Sequence, residues 1–117
     1  MADVLVLIDD LFFQAKLTET ARHVGVALEM VSTGEALLSA AAANSPKLVL
    51  VDLNARGGSL EALERLHQAG NPVPVIAFLS HVQVELAERA RAAGCQQVLP
   101  RSKFTAELAA ILRQAKP

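Results

Sequence analysis

The chain has no tryptophan and no tyrosine, and four phenylalanines are its only aromatic residues. Its core must therefore be built mainly from Ala, Val, Leu and Ile, and it offers no aromatic wall for a flavin. Cysteine is nearly missing too. Cys95 alone cannot form an internal disulfide, and one thiol in 117 residues fits a reducing compartment. Neither charge predominates: 11 Lys and Arg against 12 Asp and Glu leave a net charge of -1. That balance gives no electrostatic case for nucleic acid or an anionic membrane surface. Apolar runs fall far short of a membrane span, and Met1-Ala2-Asp3 lacks the basic start of a signal peptide. His23, His67 and His81 are scattered without metal-ligand spacing. No linker, repeat or low-complexity stretch divides the chain. A single soluble, cytoplasmic domain over residues 1–117, with no output domain, is the expectation. A core of that size buries roughly two thirds of the unfolded chain's surface.

What is present is an alternation of short apolar runs with helix-period segments. Strands are expected over 4–8, 26–31, 48–51, 73–78 and 98–99, and helices over 12–24, 35–43, 60–68, 82–93 and 104–115. The first helix places Phe13, Leu17, Ala21 and Val24 on one stripe, and the last does the same with Phe104, Leu108, Ile111, Leu112 and Ala115. Ser32 to Glu35 reads as a capping box, and Ser59 is placed to cap the third helix. Gly25, Gly70 and Gly94 stand where helices need a left-handed residue to stop. Strands without polar alternation must be covered on both faces, which predicts a parallel sheet with helices on each side. Five β–α units predict a doubly wound fold whose ligand site lies at the carboxyl ends of the strands, near the switch in strand order.

Acids gather at that edge. Asp9 and Asp10 follow the first strand in "VLVLIDD", and Asp52 follows the third in "KLVLVDLN". If those strands are neighbours, three carboxylates converge. Like charges raise one another's pKa unless a cation joins them, and hard oxygen ligands in a partly hydrated site suit Mg²⁺. Taken alone, Asp10 is an N-cap and Asp52 a solvated loop acid; the pair at a strand end with a third acid in register favours a pocket. Gly57-Gly58 lacks the Lys-Ser/Thr of a phosphate loop and reads as a mobile turn. Phe12 lies off its helix's core stripe and suits a pocket mouth or a partner contact.

These stretches, with "PVIAFLS" before the fourth helix and "AGCQQVLPRSKFTAEL" at the end, resemble the receiver domain of bacterial two-component response regulators over nearly the whole chain. The resemblance implies a flavodoxin-like (βα)5 fold: a doubly wound, five-stranded parallel sheet with helices on both faces. It implies that Asp52 accepts a phosphoryl group, that Asp9, Asp10 and Asp52 hold Mg²⁺, and that the backbone carbonyl of Asn54 completes the metal's protein ligands. A histidine kinase or phosphotransfer protein would be the donor. Output would go to another protein through the face formed by helix four, strand five and helix five, including Glu85, Arg89, Gln97, Arg101, Lys103 and Thr105. A monomer or weak homodimer, not an enzyme, would do this work.

Departures from the family pattern fall on the parts that read the phosphoryl group. Leu79 takes the place of a Thr or Ser after the fourth strand, and Ser80, one residue out of register, would serve only through a local bulge. Arg101 replaces a Lys, Val98 stands where an aromatic switch residue is common, and the loop after Asp52 lacks a Met-Pro. Two readings follow: a stand-alone receiver phosphorylated on Asp52, or a phosphorylation-independent pseudo-receiver in which Arg101 pairs permanently with Asp52 or Asp9. A small-molecule binder using the same edge is a third class, for which no phosphate loop or flavin wall is visible.

Overall fold

The computed structural model describes residues 2–80 and 83–116. His81, and the first residue of the helix expected over 82–93, lie outside the described residues. Five strands, β1 (Val4–Leu7), β2 (Leu28–Val31), β3 (Leu48–Asp52), β4 (Val75–Leu79) and β5 (Gln97–Pro100), form one sheet in the order β2-β1-β3-β4-β5. All four pairings are parallel. The chain first steps from β1 to β2 on one side and then to β3 on the other, so the switch in strand order lies between β1 and β3. This is the doubly wound parallel sheet expected from the apolar strands, in the flavodoxin-like order that the family resemblance implies.

Helices cover both faces because each carries one apolar stripe. On one face α1 (Leu11–Val24), α5 (Arg101–Ala106) and α6 (Leu108–Arg113) pack over Val4, Val6, Leu48, Leu50, Ile76 and Phe78. On the other, α2 (Gly34–Asn44), α3 (Ser59–Gln68) and α4 (Val84–Ala92) pack over Leu5, Leu7, Val49, Val51, Val75 and Leu79. Alternate residues of each central strand serve opposite layers, as the pleat requires. The stripe of α1 is buried as expected at Phe13, Leu17, Ala21 and Val24. Gly25 ends that helix at φ 89°, a left-handed conformation that a Cβ would penalise.

Several local expectations are corrected. The last helix is divided at Glu107, with α5 starting at Arg101, although Phe104, Leu108, Ile111, Leu112 and Ala115 are all buried as foreseen. Helix α2 is capped by Thr33, whose hydroxyl accepts from the Ala36 amide, and not by a Ser32–Glu35 box. Helix α3 has Gly58 at its N-cap with no side-chain bond; Ser59 is buried and donates instead to the Asp52 carbonyl at 2.8 Å. Nor is the Arg56-Gly57-Gly58 turn loose. The Gly57 carbonyl accepts from the Gly34 amide at 2.7 Å, and a Cβ on Gly57 would come within 2.4 Å of the Ser32 carbonyl oxygen. Here glycine permits a close approach of two loops. No helix among the described residues is long and apolar enough to cross a membrane.

Candidate functional site

Strand register carries the acids to one edge. Val51 pairs with Leu7 and Asp52 with Phe78, so Asp52 ends β3 at the level where β1 gives way to Ile8-Asp9-Asp10. Asp10 is the N-cap of α1, and its Oδ1 accepts from the Phe13 amide at 3.1 Å. The capping role and the site role are thus both filled by one residue through its two oxygens.

Between Asp10 and Asp52 stands Arg101, the first residue of α5. One guanidinium nitrogen donates to Asp10 Oδ2 at 3.1 Å and the other to Asp52 Oδ2 at 3.0 Å. Asp52 is 2% exposed, whereas Arg101 and Asp10 keep 26% and 38% of their side chains in solvent. The pairing expected with Asp52 or Asp9 therefore falls on Asp52 and Asp10. Asp9 is turned away from it, with Oδ2 accepting from the Arg56 amide at 3.0 Å. Asp52 Oδ1 accepts from the Asn54 amide at 2.9 Å.

An aromatic floor that sequence inspection did not foresee supports the guanidinium. Three of the four phenylalanines meet beneath it: Phe78 and Phe104 stack at 4.2 Å, and Phe13 meets both edge-on at 5.5 and 5.9 Å. The Arg101 Cζ lies 4.7 Å from the Phe13 ring centre and 5.5 Å from that of Phe78. A planar cation over partly desolvated rings gains on the order of 1–2 kcal/mol, an interaction favoured by Arg's planar, weakly hydrated fork. The fit is incomplete, since Arg101 Nε is buried without a hydrogen-bond partner. A wasted donor of that kind costs about 1–3 kcal/mol and weakens the hold on this rotamer.

The two paired acids respond oppositely. Burial pushes the Asp52 carboxyl above the ordinary aspartate value, against the Asn54 amide and the Arg101 charge, which pull it down, while Asp9 and Asp10 add to the rise. The Phe13 amide, joined by Arg101, holds Asp10 below the ordinary value despite some desolvation.

In kind, the three acids and the Asn54 carbonyl suit a hard cation. In arrangement they do not, because the Oδ2 atoms of Asp10 and Asp52 are both taken by the guanidinium. No group of three His, Cys, Asp or Glu side chains among the described residues is placed to hold a metal. With Arg101 seated, Mg²⁺ does not fit.

Beyond β3 the edge turns apolar. Leu79 pairs with Pro100 at the end of β4 and is buried among the α2–α4 core residues, so no hydroxyl stands at that register position. Ser80 is exposed, and its amide donates to Asn54 Oδ1 at 2.6 Å. Val98 is half-buried in β5. Of the face expected to carry output, Glu85, Arg89, Gln97 and Lys103 are exposed, Thr105 is half-buried, and Arg101 is committed to the acids.

Comparison with known proteins agrees with this fold. No curated protein sequence matches the chain. Among solved structures, the receiver domain of Francisella response regulator 1452 superposes with a TM-score of 0.84 at 17% identity, covering 98% of this chain and 96% of that one. The chemotaxis response regulator CheY4 of Vibrio cholerae gives 0.82 at 18%, covering 98% of each chain. The signal receiver domain of the putative response regulator NarL from Mycobacterium tuberculosis gives 0.81 at 19%, covering 97% of this chain and 95% of that one. Identities this low establish a shared fold. The family model for the response regulator receiver domain matches residues 4–113, nearly the whole length, and the chain therefore belongs to the receiver domain family of response regulators.

Proposed function

We propose that this receiver domain accepts a phosphoryl group on Asp52 from a histidine kinase or phosphotransfer protein and passes the signal on by protein–protein contact. Family membership makes it a signalling module of two-component phosphorelays; the acceptor, the donor and a cytoplasmic, monomeric or weakly dimeric module are our reading. One observation supports it most. Asp52 ends the central strand at the switch point, with its carboxylate buried against a cation and a second acid alongside. In the transfer, a carboxylate oxygen of Asp52 attacks phosphorus, the bond from phosphorus to the donor nitrogen breaks, and the nitrogen leaves with that electron pair. The product is an acyl phosphate, and the module returns to its starting state when water hydrolyses it. Because Asp52 is buried beneath Arg101, the guanidinium must swing off Oδ2 before a donor can reach it. Once moved, its charge is available to the transferred oxygens. The exposed Glu85, Arg89, Gln97 and Lys103 belong to the face proposed for output.

Receiver domains generally bind Mg²⁺ at the phosphorylation site. Here Arg101 holds the oxygens such an ion would use, so any Mg²⁺ must compete with it. The test is intact mass after incubation with acetyl phosphate, with and without Mg²⁺, beside Asp52→Asn. One phosphoryl adduct that disappears in the variant is the expected result. A folded wild type that takes no adduct from acetyl phosphate or from a phosphorylated histidine phosphotransfer protein would sink the acceptor role and leave a phosphorylation-independent module. Titration of Mg²⁺ into Arg101→Lys should give tighter binding than into wild type, because a compact ammonium cannot span both carboxylates. Equal binding would remove Arg101 as a competitor.

A further inference from the structure

Asn54 makes a set of hydrogen bonds that acceptance of a phosphoryl group does not require. Its amide donates to Asp52 Oδ1 at 2.9 Å, its Oδ1 accepts from the Ser80 amide at 2.6 Å, and its Nδ2 donates to Gln83 Oε1 at 2.8 Å. Ser80 directly follows β4, and Gln83 is the N-cap of α4, its carbonyl accepting from the Ala87 amide at 2.9 Å. Gln83 makes no side-chain cap to its own helix. Its amide group is given to Asn54 instead, so the start of α4 is held from outside by the loop that carries the acceptor. One residue therefore joins the buried carboxylate, through its backbone amide, to Ser80 and Gln83 on either side of the β4–α4 connection, through its side chain.

We propose that Asn54 is the positioning residue that conveys the state of Asp52 to α4, in a receiver where Leu79 brings no hydroxyl to the site and Val98 no ring. The inference rests on Asp52 being the group whose state changes, as proposed above. The Asn54 amide is fixed to Oδ1, and the side chain leaves the same residue through only two rotatable bonds. A change of charge or size at the carboxylate that disturbs the amide must reorient the carboxamide. The carboxamide cannot turn without releasing or dragging the Ser80 amide and the Gln83 side chain. Leu79, packed beneath them in the core, stays fixed, so the displacement is passed forward to α4 and the exposed face that includes Glu85 and Arg89.

The test is a double-mutant cycle read by amide chemical shifts and hydrogen exchange at Ser80 and over residues 84–87, in wild type, Asp52→Asn, Asn54→Ala and the double variant. Asp52→Asn should move the α4 amides when Asn54 is present and move them at least about threefold less in the Asn54→Ala background. The Ser80 amide should exchange roughly fivefold faster in Asn54→Ala, the loss of one hydrogen bond. Gln83→Ala is the discriminating variant: it should abolish the α4 response while leaving Ser80 protected, which general loosening of the loop would not do. An α4 response to Asp52→Asn that is equal with Asn54 intact and in the Asn54→Ala background overturns the inference. No phosphoryl transfer enters this cycle, so failure of acetyl phosphate to modify the protein would strike the acceptor reading without deciding this one.

Discussion

The carboxyl edge of the sheet has two unlike halves. From β1 to β3 it is ionic: Asp10 and Asp52 share Arg101, and Asp9 is tied to the Arg56 amide. From β4 to β5 it is mainly apolar, with Leu79 buried, Val98 half-buried, and a cleft of about 160 Å³ in which Val84, Ala87, Leu99 and Pro100 stand beside Gln83 and Arg91. Between the halves, the side-chain hydrogen bonds among the described residues that cross from the β3–α3 loop to the β4–α4 connection are those of Asn54. The ionic and apolar halves are therefore joined by few polar side-chain links.

That contrast can be broken most severely at its floor. Phe78→Ala removes the ring stacked on Phe104 and leaves a cavity under Arg101; urea unfolding should show a loss of about 3–5 kcal/mol. A loss below roughly 1.5 kcal/mol would mean that the aromatic trio does not support the ionic half. Arg101→Ala should cost less, about 2–3 kcal/mol by the same measurement, because Asp52 keeps the Asn54 amide and Asp10 can turn to water. No destabilisation would show the ion pair to be dispensable. Leu79→Thr tests the apolar half. It places a hydroxyl where the neighbours are hydrocarbon, at an expected cost of about 1–2 kcal/mol. A neutral or stabilising result would reveal a hydrogen-bonding partner for it and a β4–β5 half less apolar than described.

The smallest effect is one of sign. Burial raises the Asp52 pKa, so its contribution to stability is fully present below the unfolded value and is lost as pH rises through the folded one. Asp10, held low by the Phe13 amide, contributes above the unfolded value, and that contribution is lost as pH falls through its folded pKa. The stability of wild type minus that of Asp52→Asn should therefore fall as pH rises above the ordinary aspartate value of 3.8. A difference that rises over that range would show that the Arg101 charge outweighs desolvation at Asp52.

The fold was legible because burial patterns are local. Uninterrupted runs such as Val4-Leu5-Val6-Leu7 announce strands covered on both faces, and the stripes Phe13-Leu17-Ala21-Val24 and Phe104-Leu108-Ile111 announce the helices that cover them. Element ends were less legible. Ser32 and Ser59 each suit an N-cap, yet Thr33 caps α2 and the Ser59 hydroxyl goes to the Asp52 carbonyl. Several nearby hydroxyls can satisfy one helix start, and the choice depends on what the neighbouring loop presents. Gly57 shows the same limit, since a turn that looks loose in sequence is fixed by the backbone of Ser32 and Thr33.

At the site, the order of residues along the chain was enough to say which groups reach the edge. Acids placed just past β1 and at the end of β3, and a cation directly after β5, arrive there by strand register alone once the sheet is parallel. How they pair was set by packing in three dimensions. Arg101 takes Asp10 and leaves Asp9 because α1 turns Asp10 inward as its cap while the Arg56 amide claims Asp9. Three phenylalanines from α1, β4 and α5 become one floor, and Asn54 reaches Ser80 and Gln83 across the loop. Such pairings depend on ångström-scale distances between segments far apart in the chain. Periodicity carries no record of those distances, because it reports which face of an element is buried and not what waits on the other side.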